Sequence, residues 1–388
     1  MYNKKKLIIG ITGIRSEYDI MSSVYEEINK RESLDLKLIV TGAHLSKKYG
    51  ETINEIKKDG YEIISIINSL QEENNLGSRV VGLGIQLQKI AIDLNNLQPD
   101  FLIVLGDREE SMTAGLLAAY MNIPLIHIGG GDRVIGNVDD QVRHAVTKLA
   151  HIHCVTNEES KKRVLRLGEQ PFRVFNFGNP GLDRIVKTPN VQLNEIQELE
   201  NFINYENEPY ILLIQHAISS ETEKSKLQMK ITLEAVKEMK IKTIVIYPNS
   251  DIGSEKIIDV IKEYDKIDFI KSIKNIPRLN FVNILRNTSC LLGNSSCGIL
   301  EAPLLKIPVI NIGNRQKGRL HSENVKFVDH NKQQIKDALS QAVYDKDYIR
   351  DIQSCTNPYG DGNSSEKIVN LIDSLIINDN LLIKDITY

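Results

Sequence analysis

The sequence has no excess of either charge: 48 Lys and Arg stand against 51 Asp and Glu in 388 residues, a net charge of −3. That balance argues against a nucleic-acid binder, which concentrates positive charge. No apolar run approaches the ~18 residues of a membrane span. The basic start, Met1 to Lys6, leads into a short apolar run with no small-residue cleavage site, so it reads as a strand and not as a signal peptide. The cysteines, Cys154, Cys290, Cys297 and Cys355, form no C-x-x-C pair and no zinc spacing. In so long a chain they read as reduced, buried thiols of a cytoplasmic protein. A dinucleotide fingerprint is missing too. Gly10 and Gly13 do not make G-x-G-x-x-G, and Gly82-Leu83-Gly84 falls inside a predicted helix, which disfavours a nicotinamide cofactor. At ~100–200 residues per domain, the length implies two or three domains.

What the sequence does have is a rhythm of short apolar runs, each closed by glycine or polar residues. The first series holds Leu7 to Thr12, Leu36 to Thr41, Phe101 to Leu105 and Pro124 to Ile128, with His153 to Val155 and Val174 to Phe177 as further candidates. Amphipathic stretches lie between them, among them a helix running to Asn29, Ser111 to Tyr120, and Asp139 through His151. The rhythm restarts with Tyr210 to Gln215, Thr243 to Tyr247, Cys290 to Leu292 and Pro308 to Ile312. Runs that are apolar on both faces read as buried parallel strands. The pattern predicts an α/β protein of two Rossmann-like, doubly wound domains facing across a cleft. The expected boundaries are residues 1–185 and 186–364, with Gln192 to Asn207 as a helix-plus-linker and a C-terminal helical segment, 365–388, returning to the first domain. Only Gln71 to Asn75 stands out as an acidic-polar patch.

Ligands of open α/β sheets bind beyond the carboxyl ends of the strands, and here those ends carry more chemistry than turns require. Gly293-Asn294-Ser295-Ser296-Cys297-Gly298 follows a strand and precedes a predicted apolar helix, Ile299 to Leu305. Backbone N–H groups and Ser295 and Ser296 hydroxyls at a helix start suit a phosphate. The plainer alternative is an N-cap, which needs only one serine. Glu301 could accept from a ribose hydroxyl or merely complement the helix dipole. Arg315 could neutralise a phosphate or lie on the surface. Asp107 closes a strand before Arg108, as a functional carboxylate or as one that tightens its loop. Asp139 could act on a substrate or cap its helix. His151 and His153 form H-x-H, but without a recognised ligand set they read as packing or surface residues and no metal is expected.

These stretches taken together resemble the hydrolysing UDP-N-acetylglucosamine 2-epimerases of the sialic-acid and related nonulosonic-acid pathways. The likeness runs through TGIRSEYD from Thr12, GAHLSKKYG from Gly42, LGDRE from Leu105, HIGGGD from His127 and VDDQVRHAVTKLAH from Val138. It continues through LLIQH from Leu212, YPNSDIGS from Tyr247, GNSSCGILEA from Gly293, GNRQKGR from Gly313, ENV from Glu323 and YGDGN from Tyr359. The resemblance implies the glycosyltransferase-B type of two-domain fold, a UDP-amino-sugar substrate, no cofactor, and a homo-oligomer, dimer or tetramer. It implies anti elimination of UDP across C1 and C2 to a 2-acetamidoglucal, then addition of water to release the 2-epimeric sugar. For the parent substrate the products are N-acetylmannosamine and UDP.

By motif, Arg15, Arg108, His216, Asn249, Ser295, Ser296, Glu301 and Arg315 are expected to bind the nucleotide. Asp107 and Asp139 are expected to be the acid/base carboxylates, with His127 close by on the substrate. His216 is expected to stabilise the departing diphosphate. Two departures from the family pattern stand out. Gly129 occupies the place of a catalytic Glu in well-known members, and the nearest carboxylate is Asp132 in the same loop. Asp19 aligns with a nucleotide-contacting Ser, and would repel a pyrophosphate unless it meets another group. A relative acting on UDP-linked diacetylbacillosamine is an alternative. So are a glycosyltransferase of the same fold and a UDP-sugar binder without catalysis; the latter needs none of Asp107, Asp139 and His216.

Overall fold

In the computed structural model the described residues are 5–71, 77–133, 138–203, 209–249, 253–274 and 276–388. Most of the Gln71 to Asn75 patch, and Ser250 to Ile252 of the YPNSDIGS motif, lie outside them. The chain divides into two compact units, one of residues up to Arg184 together with Tyr359–Tyr388, the other Ile185–Pro358.

Among the described residues the first unit holds seven strands: β1 (Lys6–Thr12), β2 (Leu34–Thr41), β3 (Glu62–Ile67), β4 (Phe101–Leu105), β5 (Leu125–Ile128), β6 (Ile152–Val155) and β7 (Val174–Asn176). They form one parallel sheet in the order β3-β2-β1-β4-β5-β6-β7. Alternate residues enter two different cores. Ile8, Leu38, Phe101, Ile103 and Ile126 face one; Ile9, Ile39, Leu102, Val104 and Leu125 face the other. That division explains why these strands are apolar on both faces, since helices cover both sides. The order reverses between β1 and β4, which places the switch point at Gly13 and Gly106.

The second unit holds β8 (Tyr210–Ile214), β9 (Lys242–Ile246), β10 (Ile270–Ile273), β11 (Cys290–Gly293), β12 (Val309–Ile312) and β13 (Val325–Val328). They form a parallel sheet in the order β10-β9-β8-β11-β12-β13, with its switch point between β8 and β11.

Two expected elements differ. Residues 192–200 make two short 3-10 turns, Leu193–Glu195 and Gln197–Leu199, where a helix is expected. The helix after β11 is only Cys297–Leu300, followed by turns to Lys306. Pro303, which lacks an N–H, prevents its continuation to Leu305.

The C-terminal segment rejoins the first unit through the Ser364–Ser374 helix. Its Ile368, Val369 and Ile372 enter the core of Met21, Val24, Tyr25 and Ile28. Buried Asp183 accepts from the N–H groups of Ser364 and Ser365, at 3.0 and 2.6 Å, and so satisfies the helix start. The YGDGN stretch has a structural reason. Asn179 N–H donates to the Tyr359 carbonyl at 2.7 Å, and a Cβ at Gly178 would stand 2.6 Å from that oxygen.

Candidate active site

In the first unit the chemistry gathers around one guanidinium. Arg143, on the Val138–Leu149 helix, is nearly buried. Its Nη2 donates to Oδ2 of Asp107, at the end of β4. Its Nη1 donates to the Gly129 carbonyl at 2.7 Å and lies 3.9 Å from Oδ2 of Asp132. Two carboxylates therefore flank the same cation. Burial raises the Asp107 carboxyl above its usual range; the Arg143 charge opposes this, and nearby Asp139 adds to it.

Asp132 is held on its other side. Its Oδ1 accepts from Thr156 Oγ1 at 2.7 Å, Ser160 Oγ at 2.5 Å and Asn157 Nδ2 at 3.3 Å, while Oδ2 turns toward Arg143. Gly129 and Gly131 make this course possible, with φ of +76° and +78°, values that only glycine adopts at little cost. Asp139 lies in the first turn of the Val138–Leu149 helix and is 3.7 Å from Arg79, which also pairs with Glu109.

His127, expected close to the substrate, is held by the protein itself. The ring is fully enclosed, with Nε2 against the Gly106 carbonyl at 2.7 Å and Nδ1 against Thr147 Oγ1 at 3.3 Å. Burial lowers its pKa to about 3, so it is neutral and donates to the carbonyl beside Asp107. The enclosed ring supports the Gly106–Asp107 turn. His151 and His153 also serve the fold: Leu125 N–H donates to His151 Nδ1, and His153 meets Glu169 at 3.0 Å.

Arg15 opens the Arg15–Asn29 helix with its side chain 60% exposed, 3.4 Å from Glu55. Asp19 meets Arg184 at 2.8 Å, so a cation already balances the carboxylate that departs from the family pattern. Arg108 occupies the N-cap position of the Glu109–Met121 helix.

In the second unit Asn294 organises the strand ends. Its Oδ1 accepts from His216 N–H at 2.7 Å and its Nδ2 donates to the His216 carbonyl at 2.9 Å. Its carbonyl receives Arg315 Nη1 at 3.2 Å and Gln316 Nε2 at 3.0 Å. Asn249 N–H donates to His216 Nδ1 at 3.1 Å, which leaves the proton of a neutral ring on Nε2. Ser296 sits at the N-cap of the short helix without a side-chain capping bond, and Ser295 Oγ accepts from Cys297 N–H only at 3.4 Å. Capping thus accounts poorly for the two serines. Glu301 follows the last residue of that helix, not its start as expected, because the helix is so short. The result is a group of hydroxyl, N–H and guanidinium donors suited to an anion.

Arg143, Asn294 and Gln316 receive no role from sequence alone. The available signals are an arginine four residues after Asp139 and polar residues inside the GNSS and GNRQ runs, none specific by itself.

A family model described as UDP-N-acetylglucosamine 2-epimerase matches residues 26–373. The UDP-N,N'-diacetylbacillosamine 2-epimerase (hydrolyzing) of Legionella pneumophila is 35% identical over 377 residues, 97% of this chain and 98% of that protein. The UDP-N-acetylglucosamine 2-epimerase of Neisseria meningitidis serogroup B is 31% identical over 337 residues, 87% of each chain. The fold is that of the crystal structure of UDP-GlcNAc 2-epimerase from Neisseria meningitidis bound to UDP-GlcNAc, with TM-score 0.78, 22% identity and coverage of 94% of this chain and 99% of that one. With the family model spanning nearly the whole chain, the protein belongs to the UDP-N-acetylglucosamine 2-epimerase family.

Proposed function

We propose that this protein is a hydrolysing 2-epimerase that converts UDP-N-acetylglucosamine to N-acetylmannosamine and UDP. The observation that carries the reading is the pair of carboxylates, Asp107 and Asp132, flanking Arg143, with Asp139 nearby. One carboxylate takes the C2 proton while the C1–O bond breaks and UDP leaves with the bonding electrons. A hydroxyl from water then adds to C1, and a carboxylic acid returns a proton to C2 from the opposite face. Burial raises the Asp107 carboxyl, which suits a group that must hold a proton in part of the cycle. Asp107 and Asp139 are the expected acid/base groups, and Asp132 supplies the carboxylate that Gly129 cannot. Ser295, Ser296 and Arg315 bind the diphosphate, His216 donates from Nε2 to the leaving group, and Glu301 and Asn249 hold the nucleoside. Arg15 and Arg108 add positive charge to the nucleotide site.

The Legionella relative favours a second substrate, UDP-N,N'-diacetylbacillosamine. Product analysis after incubation with both UDP-sugars decides between them. Release of N-acetylmannosamine supports the first. Turnover of the diacetylated sugar alone supports the second, and turnover of neither removes the proposed reaction.

A further inference from the structure

The switch point of the first sheet holds a carboxyl pair that the reaction does not use. The helices Arg15–Asn29 and Glu109–Met121 start directly beyond β1 and β4, and each carries a glutamate in its first turn. Glu17 and Glu110 are 6% and 3% exposed. Gly13 N–H donates to Oε2 of Glu17 at 3.2 Å, and a Cβ at residue 13 would stand 2.5 Å from the Glu110 carboxyl carbon. Both side chains thus close on the same glycine, one by a hydrogen bond and one by contact. Oε1 of each is buried and accepts no hydrogen bond from another group among the described residues.

Two carboxylates this close and this dry ionise together only at a large cost, and one proton between them satisfies both. Burial, then the Glu110 carboxylate, holds the Glu17 carboxyl well above its usual range, and burial raises Glu110. The surrounding groups leave that arrangement intact. Arg108 and Glu109 approach from the β4 turn, with Glu109 paired to Arg79. Tyr25 faces Glu17 from the same helix, and its hydroxyl is held protonated by burial. From the turn after β2, His44 donates its N–H to the Gly13 carbonyl at 3.3 Å and sets its ring against Thr12. Burial lowers His44 to about 4, so it adds no charge.

We propose that Glu17 and Glu110 are positioning residues that act as one carboxyl pair with a single shared proton, fixing the turns that carry Arg15 and Arg108 toward the UDP-sugar. The proposal rests on the reading of those two arginines as UDP ligands. With one proton the pair carries one negative charge, balanced by Arg108 and two helix N-termini. Loss of that proton sets two negative charges against each other, loosens Gly13 and adds charge repulsive to a diphosphate.

The test compares UDP affinity by calorimetry, and kcat/KM on both UDP-sugars, between about pH 7 and 9 for the wild type, Glu110→Gln and Glu110→Ala. Glutamine keeps a hydrogen bond to Glu17 but cannot bring a second negative charge. The wild type is expected to lose UDP affinity as pH rises, whereas Glu110→Gln holds a flat profile. Glu110→Ala is expected to bind UDP roughly tenfold more weakly throughout, as loss of a charge-assisted contact implies. A wild type and Glu110→Gln with the same pH profile overturn the proposal, as does full affinity in Glu110→Ala. Should the alanine variant fail to fold, the glutamine comparison still decides. A wild type that binds UDP but turns over neither sugar removes the proposed reaction alone, and one that does not bind UDP removes both.

Discussion

Arg143 and Asp107 are 36 residues apart in sequence, yet the guanidinium of one closes on the carboxylate of the other. The same guanidinium holds the Gly129 carbonyl at 2.7 Å, so the ends of β4 and β5 share one cation. Arg143→Lys keeps the charge but cannot donate in two directions from a planar fork. The expected result is a fall in kcat of about 10²-fold, together with an acid limb of kcat/KM displaced to higher pH. The sign follows from Asp107: burial raises it and Arg143 opposes the rise, so a weaker partner lets it protonate more readily. An unchanged pH profile separates Arg143 from the proton chemistry.

Asp132→Asn preserves the acceptor facing Thr156, Ser160 and Asn157 but removes the oxygen turned toward Arg143. If Asp132 handles a proton, turnover drops by ~10²–10⁴-fold. Near-full turnover with normal UDP binding shows that Asp107 and Asp139 suffice and that Asp132 only ties its loop to the Glu158–Arg166 helix.

Replacing Ser295 and Ser296 by alanine removes two hydroxyls and leaves the backbone intact. Hydrogen bonds to a charged group contribute about 1.5–3 kcal/mol each, so calorimetry should register a clear loss of UDP affinity with the melting temperature little changed. Unaltered affinity places the diphosphate elsewhere.

A prediction about stability comes from buried Glu169. It accepts from Lys148 at 2.6 Å, His153 at 3.0 Å and Lys384 at 2.9 Å, and the last of these ties the C-terminal segment to the sheet. Burial alone would raise its pKa; His153, Lys148 and Lys384 outweigh burial and lower it from 4.5 to about 2. A folded pKa below the unfolded one stabilises above pH 4.5, and that contribution is lost as pH falls toward 2. Urea unfolding should show Glu169→Gln less stable than wild type by on the order of 2–3 kcal/mol near neutral pH. The gap should narrow below pH 4.5 and close near pH 2. A gap that persists in acid assigns the effect to packing.

The strands and their polar ends were legible in the sequence because apolar runs closed by glycine have few other solutions. The placement of Ser295, Ser296, Arg315 and Asp107 just beyond strand ends was legible for the same reason. Arg143 was not, since an arginine on an amphipathic helix ordinarily meets water; only the sheet order brings Asp107 to it. Glu17 and Glu110 were hidden in the same way, each reading as first-turn helix charge until two parallel strands set them side by side. The enclosure of His127 was not legible, because a histidine at a strand end looks reactive whether or not a carbonyl such as that of Gly106 engages it. The helix expected to run to Leu305 stopped at Leu300 because Pro303 outweighed an apolar run.

The proposed reaction is elimination across C1 and C2 followed by re-addition. It is tested most directly by turning over UDP-N-acetylglucosamine, or its diacetylbacillosamine counterpart, in D2O and reading the released sugar by NMR. Elimination places deuterium at C2 of the inverted product, because the proton removed exchanges before water addition is completed. Release of a sugar that keeps its original hydrogen at C2 contradicts it.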